Sequence, residues 1–328
     1  MTQAVIEGIG VGIPEKVLSN ADLERLVDTS DEWIRQRTGI VERRICSPGE
    51  TTSVLATRAA REALAESSTK AEDLDLIVCG TVTGDMIFPS TACLVQREIG
   101  AKNAGAFDVG AACAGFIYSL SVATGMIQSG QAKTVLVIGA DTLTRFVDFT
   151  DRSTCVLFGD GAGAVVVKAQ ENTDRGVIRT VLLADGDGAK FIDVEVGGSK
   201  FPPARPQDCV GRRSTIYMAG AEVYRFAVTA MGDACCRALE LAGMEPGDVD
   251  LFVPHQANLR IIESSAKRLG LPDDKVFINI EKYGNTSGAS IPIGLHDAQA
   301  SGRLKKGMVV MTVGFGAGLV WGANLIRW

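Results

Sequence analysis

A layered α/β fold built from two copies of one unit is predicted by three observations. Short apolar runs of strand length alternate with helix-length amphipathic segments, the alternation recurs at an offset of about 170 to 175 residues, and a single loop-rich stretch separates the two copies. Glu72-Asp-Leu-Asp-Leu-Ile-Val-Cys79 matches Gly247-Asp-Val-Asp-Leu-Phe-Val-Pro254. Phe107-Asp-Val then matches Phe277-Ile-Asn, and Lys133-Thr-Val-Leu-Val-Ile-Gly139 matches Gly307-Met-Val-Val-Met-Thr-Val-Gly314.

Taken in order, Met1 to Gly12 reads as a strand; it lacks the basic stretch and cleavage site of a signal peptide. Helical periodicity covers Asp31 to Gln36 and Ser53 to Glu66, and a further helix ends at Gly100. A buried strand is expected over Ala106 to Val109, followed by a tight turn of small residues and a helix from Ala114 to Ile127. From Gln170 to Tyr217 the chain carries Asp185-Gly-Asp-Gly188, Gly197-Gly198, Pro202-Pro203 and Pro206, which are turn signals. A loop of that length in a compact protein is read as a functional lid or binding loop, with a disordered insertion as the alternative. The expected division is therefore 1–170, a connecting segment 171–216, and 217–328. In the second copy, helices are expected over Ala221 to Ala242, Asn258 to Leu269 and Ile293 to Ala300.

Composition narrows the function. At 328 residues the chain can bury about three quarters of its unfolded surface, enough for two fused units. A net charge of −6 argues against broad nucleic-acid or anionic-membrane binding, and no run of about 18 apolar residues spans a membrane. Eight cysteines without C-x-x-C spacing fit a reducing cytoplasm. Two histidines, His255 and His296, argue against a Cys/His zinc site.

Three places carry candidate chemistry. Cys113 falls where a strand turns into a helix N-terminus, surrounded by Ala111, Ala112, Ala114 and Gly115. Free N–H groups and the helix dipole there are expected to lower its pKa and expose a thiolate to a substrate carbonyl. Geometry alone leaves a nucleophile and a small core residue equally open. His255, in Val253-Pro-His-Gln-Ala-Asn258, falls at the C-terminal end of a strand, where open α/β sheets place ligand-binding residues. His296, inside a helical run, reads as structural. Asn285 falls at the tip of Tyr283-Gly-Asn-Thr-Ser-Gly288; its amide cannot titrate and is suited to donating to a developing oxyanion, although a plain Asx turn is the simpler reading of that string alone. At the repeat offset the Asn285 turn falls opposite Cys113, so one cluster is expected at the junction of the halves.

Six strings in order resemble β-ketoacyl-acyl-carrier-protein synthase III of the thiolase-like condensing enzymes: Asp31-Glu-Trp-Ile-Arg-Gln-Arg-Thr-Gly-Ile40, Ala111-Ala-Cys-Ala-Gly-Phe116, Phe158-Gly-Asp-Gly-Ala-Gly163, Val253-Pro-His-Gln-Ala-Asn258, Gly284-Asn-Thr-Ser287 and Gly314-Phe-Gly-Ala-Gly318. The resemblance covers nearly the whole chain. It implies a duplicated thiolase-like fold, five-layered αβαβα, with pseudo-twofold related halves, forming a homodimer. It implies decarboxylative condensation of a short acyl-CoA primer with malonyl-acyl-carrier protein through an acyl-Cys113 intermediate, initiating fatty acid synthesis with no metal or permanently bound cofactor. Cys113, His255 and Asn285 would form the catalytic triad, and the backbone N–H groups of Cys113, Gly316 and Ala317 the oxyanion hole. Thr29, Trp33, Arg37, Arg152 and Asn258 would bind CoA, with Trp33 and Arg152 sandwiching the adenine. Trp33 as a core aromatic is the alternative. Phe88, reaching across the dimer, and Phe315 would bound the acyl pocket, and Arg225, Arg260 and Lys267 would dock the acidic carrier protein, where a merely solvated helix face is the ordinary reading. The segment from Lys190 to Arg213 reads as longer than usual for that family.

Other readings compete. Gly8-x-Gly-x-Gly12 and Gly159-x-Gly-x-Gly163 lack the full dinucleotide fingerprint, and the first runs into Pro14 rather than a helix. A thiolase would carry a second cysteine in the C-terminal glycine turn, and Val313 to Leu319 has none. A starter-unit condensing enzyme of polyketide or alkylquinolone biosynthesis shares the triad. A non-catalytic acyl-CoA-binding homologue is opposed by the intact triad.

Overall fold

Side chains in a strand point alternately to opposite faces, and a strand buried on both faces must therefore feed two cores at once. The computed structural model, which describes residues 2–328, resolves this alternation residue by residue. Its first sheet holds β1 (Gln3–Gly12), β2 (Leu76–Gly80), β3 (Gly105–Val109), β4 (Thr134–Thr142) and β5 (Asp160–Gln170) in the spatial order β1-β5-β4-β2-β3. Strands β2, β3 and β4 run parallel, and β5 is antiparallel to both β4 and β1. In β4, Val135 and Val137 join one apolar cluster while Leu136, Ile138 and Ala140 join another. The second sheet, with β6 (Gly176–Ala184), β7 (Leu251–Pro254), β8 (Val309–Gly316) and β9 (Val320–Arg327), has the order β6-β9-β8-β7 and repeats the wiring of β1-β5-β4-β2 without a counterpart of β3.

Seven longer helices complete the layers: α1 (Asp31–Thr38), α2 (Thr52–Glu66), α3 (Thr91–Ile99), α4 (Gly115–Gln128), α5 (Gly220–Ala242), α6 (Leu259–Leu269) and α7 (Ser290–Ala300). Helices α2 and α3 cover the outer face of the first sheet, α5 and α6 that of the second, and α4 and α7 lie between the sheets. The result is the five-layered αβαβα arrangement. Phe116, Leu120, Leu295 and Val253 meet in the fully buried middle layer. Truncating Phe116 there would cost about 3–5 kcal/mol.

Several expectations are corrected. The run Ala106 to Val109 is not a buried strand: β3 is the edge of its sheet, so one side has no neighbour and Phe107 is 38% exposed. Phe277-Ile-Asn forms no strand; the chain there makes only one parallel bridge, Val276 to Phe252. The segment 171–216 is not purely connecting, because β6 lies inside it and pairs with β9 along the second sheet. The predicted helices over Asp31, Ser53, Ala114, Ala221, Asn258 and Ile293 are found with ends shifted by three residues or fewer. Met1 lies outside the described residues.

Candidate active site

Two turns decide the site. After β3, Ala112–Ala114 makes a 3₁₀ turn that runs into α4; after the Asn285 loop, Ser287–Ala289 makes another that runs into α7. Each turn begins with a non-glycine residue at positive φ, Ala112 at 44° and Ser287 at 53°. Glycines let the turns approach the opposite sheet. A Cβ on Gly139 of β4 would lie 2.2 Å from the carbonyl oxygen of Gly288, and one on Gly316 of β8 would lie 2.5 Å from the backbone nitrogen of Cys113. A Cβ on Gly314 would sit 3.3 Å from the Cys113 carbonyl oxygen and 3.6 Å from the His255 Cβ. One glycine therefore separates the sulfur-bearing residue from the imidazole-bearing one.

Cys113, His255 and Asn285 line a single cavity of about 710 Å³, together with Phe315, Gly316 and Ala317. Asn285 Oδ1 accepts from the Ser287 N–H at 2.9 Å, which leaves its amide N–H groups for another partner. The Asn285 backbone is clamped to the loop before β5: its N–H donates to Leu157 O and its carbonyl accepts from the Gly159 N–H, each at 2.9 Å. His255 is 1% exposed, with Nδ1 2.6 Å from Ser290 Oγ and Nε2 without a protein partner. Burial holds its pKa down to about 3, so the imidazole is neutral.

The Cys113 thiol departs from expectation. Its pKa is pushed up to about 12, chiefly by burial; the Ser287 side chain lowers it, nearby Asp141 raises it, and the cysteine's own N–H lowers it. Desolvation of the thiolate thus outweighs the two hydrogen bonds that favour it. Asp141 escaped the sequence reading. Fully buried at the end of β4, it accepts from Thr81 Oγ1, the Val82 N–H and Thr83 Oγ1 through one oxygen, and from the Gly288 N–H through the other. Ser290 was missed as well, since its pairing with His255 joins two distant segments.

The remaining candidates fall elsewhere. The Arg152 guanidinium lies 4.9 Å and the Arg37 guanidinium 5.2 Å from the centre of the Trp33 ring, and Arg152 donates to Asp28 O. Thr29, Trp33, Arg37 and Arg152 do not line the 710 Å³ cavity, whereas Asn258 does. Asn258 caps α6, with Oδ1 accepting from the Arg260 N–H and Nδ2 donating to Arg37 O, so both ends of its amide are occupied. Phe88 is 81% exposed and does not line this cavity, although its neighbours Met86 and Ile87 do. Arg260 and Lys267 lie exposed on α6, with Arg260 donating to Gln36 O; Arg225, exposed on α5, pairs with Glu222. His296 sits between Glu62 and Asp297, 3.5 Å from each. Among the described residues, no cluster of His, Cys, Asp and Glu is placed to hold a metal ion.

Known proteins share this fold. Residues 107–186 match the family described as 3-oxoacyl-acyl-carrier-protein (ACP) synthase III, and residues 239–328 match its C-terminal part. The chain is 51% identical over 325 residues to the β-ketoacyl-acyl-carrier-protein synthase III of Caldanaerobacter subterraneus, covering 99% of this chain and 98% of that one. It superposes with a TM-score of 0.92 on the 3-oxoacyl-acyl-carrier-protein synthase III of Aquifex aeolicus, at 48% identity over 99% and 100% of the two chains. The priming β-ketosynthase of the R1128 polyketide pathway superposes equally well, with a TM-score of 0.92, at 38% identity over 99% of this chain and 96% of that one. With two matched turns, a cysteine, a histidine and an asparagine around one cavity, and full-length likeness to these enzymes, the chain belongs to the β-ketoacyl-acyl-carrier-protein synthase III family.

Proposed function

We propose that this enzyme condenses a short acyl-CoA primer with malonyl-acyl-carrier protein, the initiating step of fatty acid synthesis, with Cys113, His255 and Asn285 as its catalytic residues. The observation that carries the reading is the meeting of these three side chains at one cavity with a neutral histidine. The Cys113 sulfur attacks the thioester carbonyl, and the tetrahedral oxyanion is held by the N–H groups of Cys113, Gly316 and Ala317. Collapse breaks the C–S bond to CoA, whose sulfur takes the proton that the thiol gives up. With the free thiol held near pKa 12, that proton leaves only as the substrate engages.

In the second half-reaction the malonyl C–C bond breaks, CO2 departs, and the electron pair passes to an enolate. The enolate oxygen accepts hydrogen bonds from His255 and Asn285. A neutral imidazole donates there without giving up its proton. The carbanion then attacks the acyl group, and Cys113 is expelled as a thiolate that takes one proton from solvent. Decarboxylation drives the step, so no metal or redox cofactor is required.

Trp33 and the two guanidiniums beside it suit an adenine ring, with Thr29 next in the chain to Asp28, whose carbonyl accepts from Arg152; Asn258 both donates to Arg37 O and lines the cavity, which suits contact with a pantetheine arm. Arg225, Arg260 and Lys267 offer positive charge to an acidic carrier protein. The edge strand β3 and the exposed Met86, Ile87 and Phe88 suit pairing with a second copy, which would bring Phe88 to the partner's acyl pocket beside Phe315. All eight cysteines are unpaired, which suits a reducing cytoplasm. We place the boundary between the halves near residue 170, with β6 counted in the second.

A panel of acyl-CoAs, with and without malonyl-acyl-carrier protein, tests the reading by intact-mass spectrometry. Wild type should gain one acyl group on Cys113 and lose it as β-ketoacyl product forms, while Cys113→Ala gains none. An acyl group on another cysteine, or a stable acyl-enzyme that malonyl-acyl-carrier protein never discharges, would overturn it.

A further inference from the structure

We infer that Ser290 is a positioning residue that fixes His255 in the tautomer with its proton on Nε2, facing the cavity. The inference rests on the proposed role of His255 and extends it to a residue that does not touch substrate.

The hydroxyl of Ser290 is fully accounted for. Ser290 is 2% exposed, and its Oγ lies 3.3 Å from the backbone N–H of Gln256 and 2.6 Å from His255 Nδ1. An amide N–H can only donate, so Gln256 occupies a lone pair of Oγ. The hydroxyl proton is then free for Nδ1, the nearest acceptor. Oγ accepting from both neighbours would leave two buried groups unpaired, the hydroxyl proton and a bare Nε2, whereas this arrangement leaves one, the Nε2–H; each unmade bond is costly, which favours the latter. With Nδ1 accepting, the imidazole proton must sit on Nε2, the ring nitrogen that has no protein partner. That is the nitrogen the enolate oxygen needs as a donor. Burial keeps the ring neutral, so a single proton is at stake and its location decides whether the group donates or accepts.

The duplication supplies an independent argument. Gly80 and Gly115 stand 175 residues before His255 and Ser290, at the same places on β2 and α4 as those residues hold on the second unit. In the first half these positions are both glycine and the backbones touch: a Cβ on Gly80 would lie 2.5 Å from the Gly115 carbonyl carbon. The strand-end-to-helix-start contact is thus inherited from the repeat. In the second half it is occupied by one imidazole and one hydroxyl that bond to each other. The contact needs no polar pair for packing, since its twin manages without side chains.

Selective labelling makes the test direct, because the chain has only two histidines. Nitrogen-15 histidine NMR on the His296→Gln variant leaves one imidazole, and its long-range coupling pattern distinguishes a proton on Nε2 from one on Nδ1. The expected result is Nε2–H with bare Nδ1, unchanged between pH 8 and pH 5; a proton on Nδ1 would overturn the inference. Ser290→Ala should mix the tautomers and lower kcat for malonyl-acyl-carrier-protein decarboxylation at least about tenfold, with KM and Cys113 acylation near wild type. Ser290→Thr, which keeps the hydroxyl, should recover most of the rate. If wild type acylates and condenses while Ser290→Ala decarboxylates at the wild-type rate, the inference falls and the proposed function stands. If wild type does neither, the proposed function falls, and the spectrum still decides the tautomer.

Discussion

Replacing Gly139 by alanine probes the junction on which both halves depend. The added Cβ would lie 2.2 Å from the Gly288 carbonyl oxygen and 3.3 Å from the Phe116 Cβ. Ordinary contact begins near 3.4 Å, so strand and turn must separate by about 1 Å. The obstacle is backbone, which cannot swing aside like the end of a side chain. The cost should therefore reach the upper end of the range for overpacking, about 3 kcal/mol. At about 2 °C per kcal/mol for a chain of this size, Tm should fall by roughly 6 °C. Displacing Gly288 also displaces Ser287, whose N–H holds Asn285, so the condensation rate should fall with stability. Gly125→Ala is the matched control. Its Cβ meets nothing within 4 Å on an exposed face of α4, where alanine should stabilise by about 0.5–1 kcal/mol. Urea and thermal unfolding, run at one protein concentration beside a condensation assay, check both. A Gly139→Ala enzyme with wild-type Tm and turnover would refute the reasoning.

Three further outcomes are expected. Iodoacetamide should modify exposed Cys93 and Cys236 well before Cys113 near neutral pH, with the Cys113 rate still climbing above pH 9, because burial pushes its pKa up to about 12; a Cys113 rate that plateaus near pH 7 in site-resolved mass spectra would contradict this. His255 has a folded pKa of about 3 against 6.5 unfolded, so the unfolded state binds more protons between those values and stability is lost as pH falls below 6.5, by about 2 kcal/mol at pH 5. His296, raised by Asp297 and Glu62, contributes stability that is present at low pH and lost as pH rises through its folded pKa, so the comparison is His296→Gln against His296→Gln with His255→Asn, and equal acid sensitivity of the two would refute the assignment. Trp33→Ala should raise KM for acyl-CoA about tenfold, the equivalent of about 1.4 kcal/mol, and leave malonyl-acyl-carrier-protein decarboxylation unchanged; an unchanged KM would remove Trp33 from CoA recognition.

Much of this was legible from residues alone, for a physical reason. Strand alternation and helix periodicity are local, so the two units and the strand–turn–helix setting of Cys113 could be read from spacing. What failed was non-local. Phe107 and Val109 have the composition of an interior strand, and only the absence of a neighbour beyond β3 makes it an edge. Strand β6 was hidden because turn signals crowd the loop that follows it and because only three of its nine residues are buried. The thiol pKa was misjudged since a helix N-terminus is visible in sequence, while the desolvation that opposes it depends on everything packed around the sulfur. Asp141 and Ser290 could not be found because their partners lie tens of residues or more away in the chain.

The duplication explains why the site needs both halves. Gly139 and Gly314 stand 175 residues apart on equivalent strands, as Cys113 and Gly288 do on equivalent turns. Gly139 of the first half closes on Gly288 of the second, and Gly314 of the second closes on Cys113 of the first. Each strand thus buttresses the turn of the other unit. A non-glycine residue at positive φ costs of order 1–3 kcal/mol and persists only where its surroundings enforce it. Ala112 and Ser287 are both held so, by packing that crosses the pseudo-twofold axis. The two units have diverged where the buttress permits. One turn carries a cysteine at the position where the other carries a glycine, and one strand end carries an imidazole where the other carries a glycine. Each of these side chains therefore stands where its twin is a glycine that lets backbone close in, and the cavity is lined from both halves.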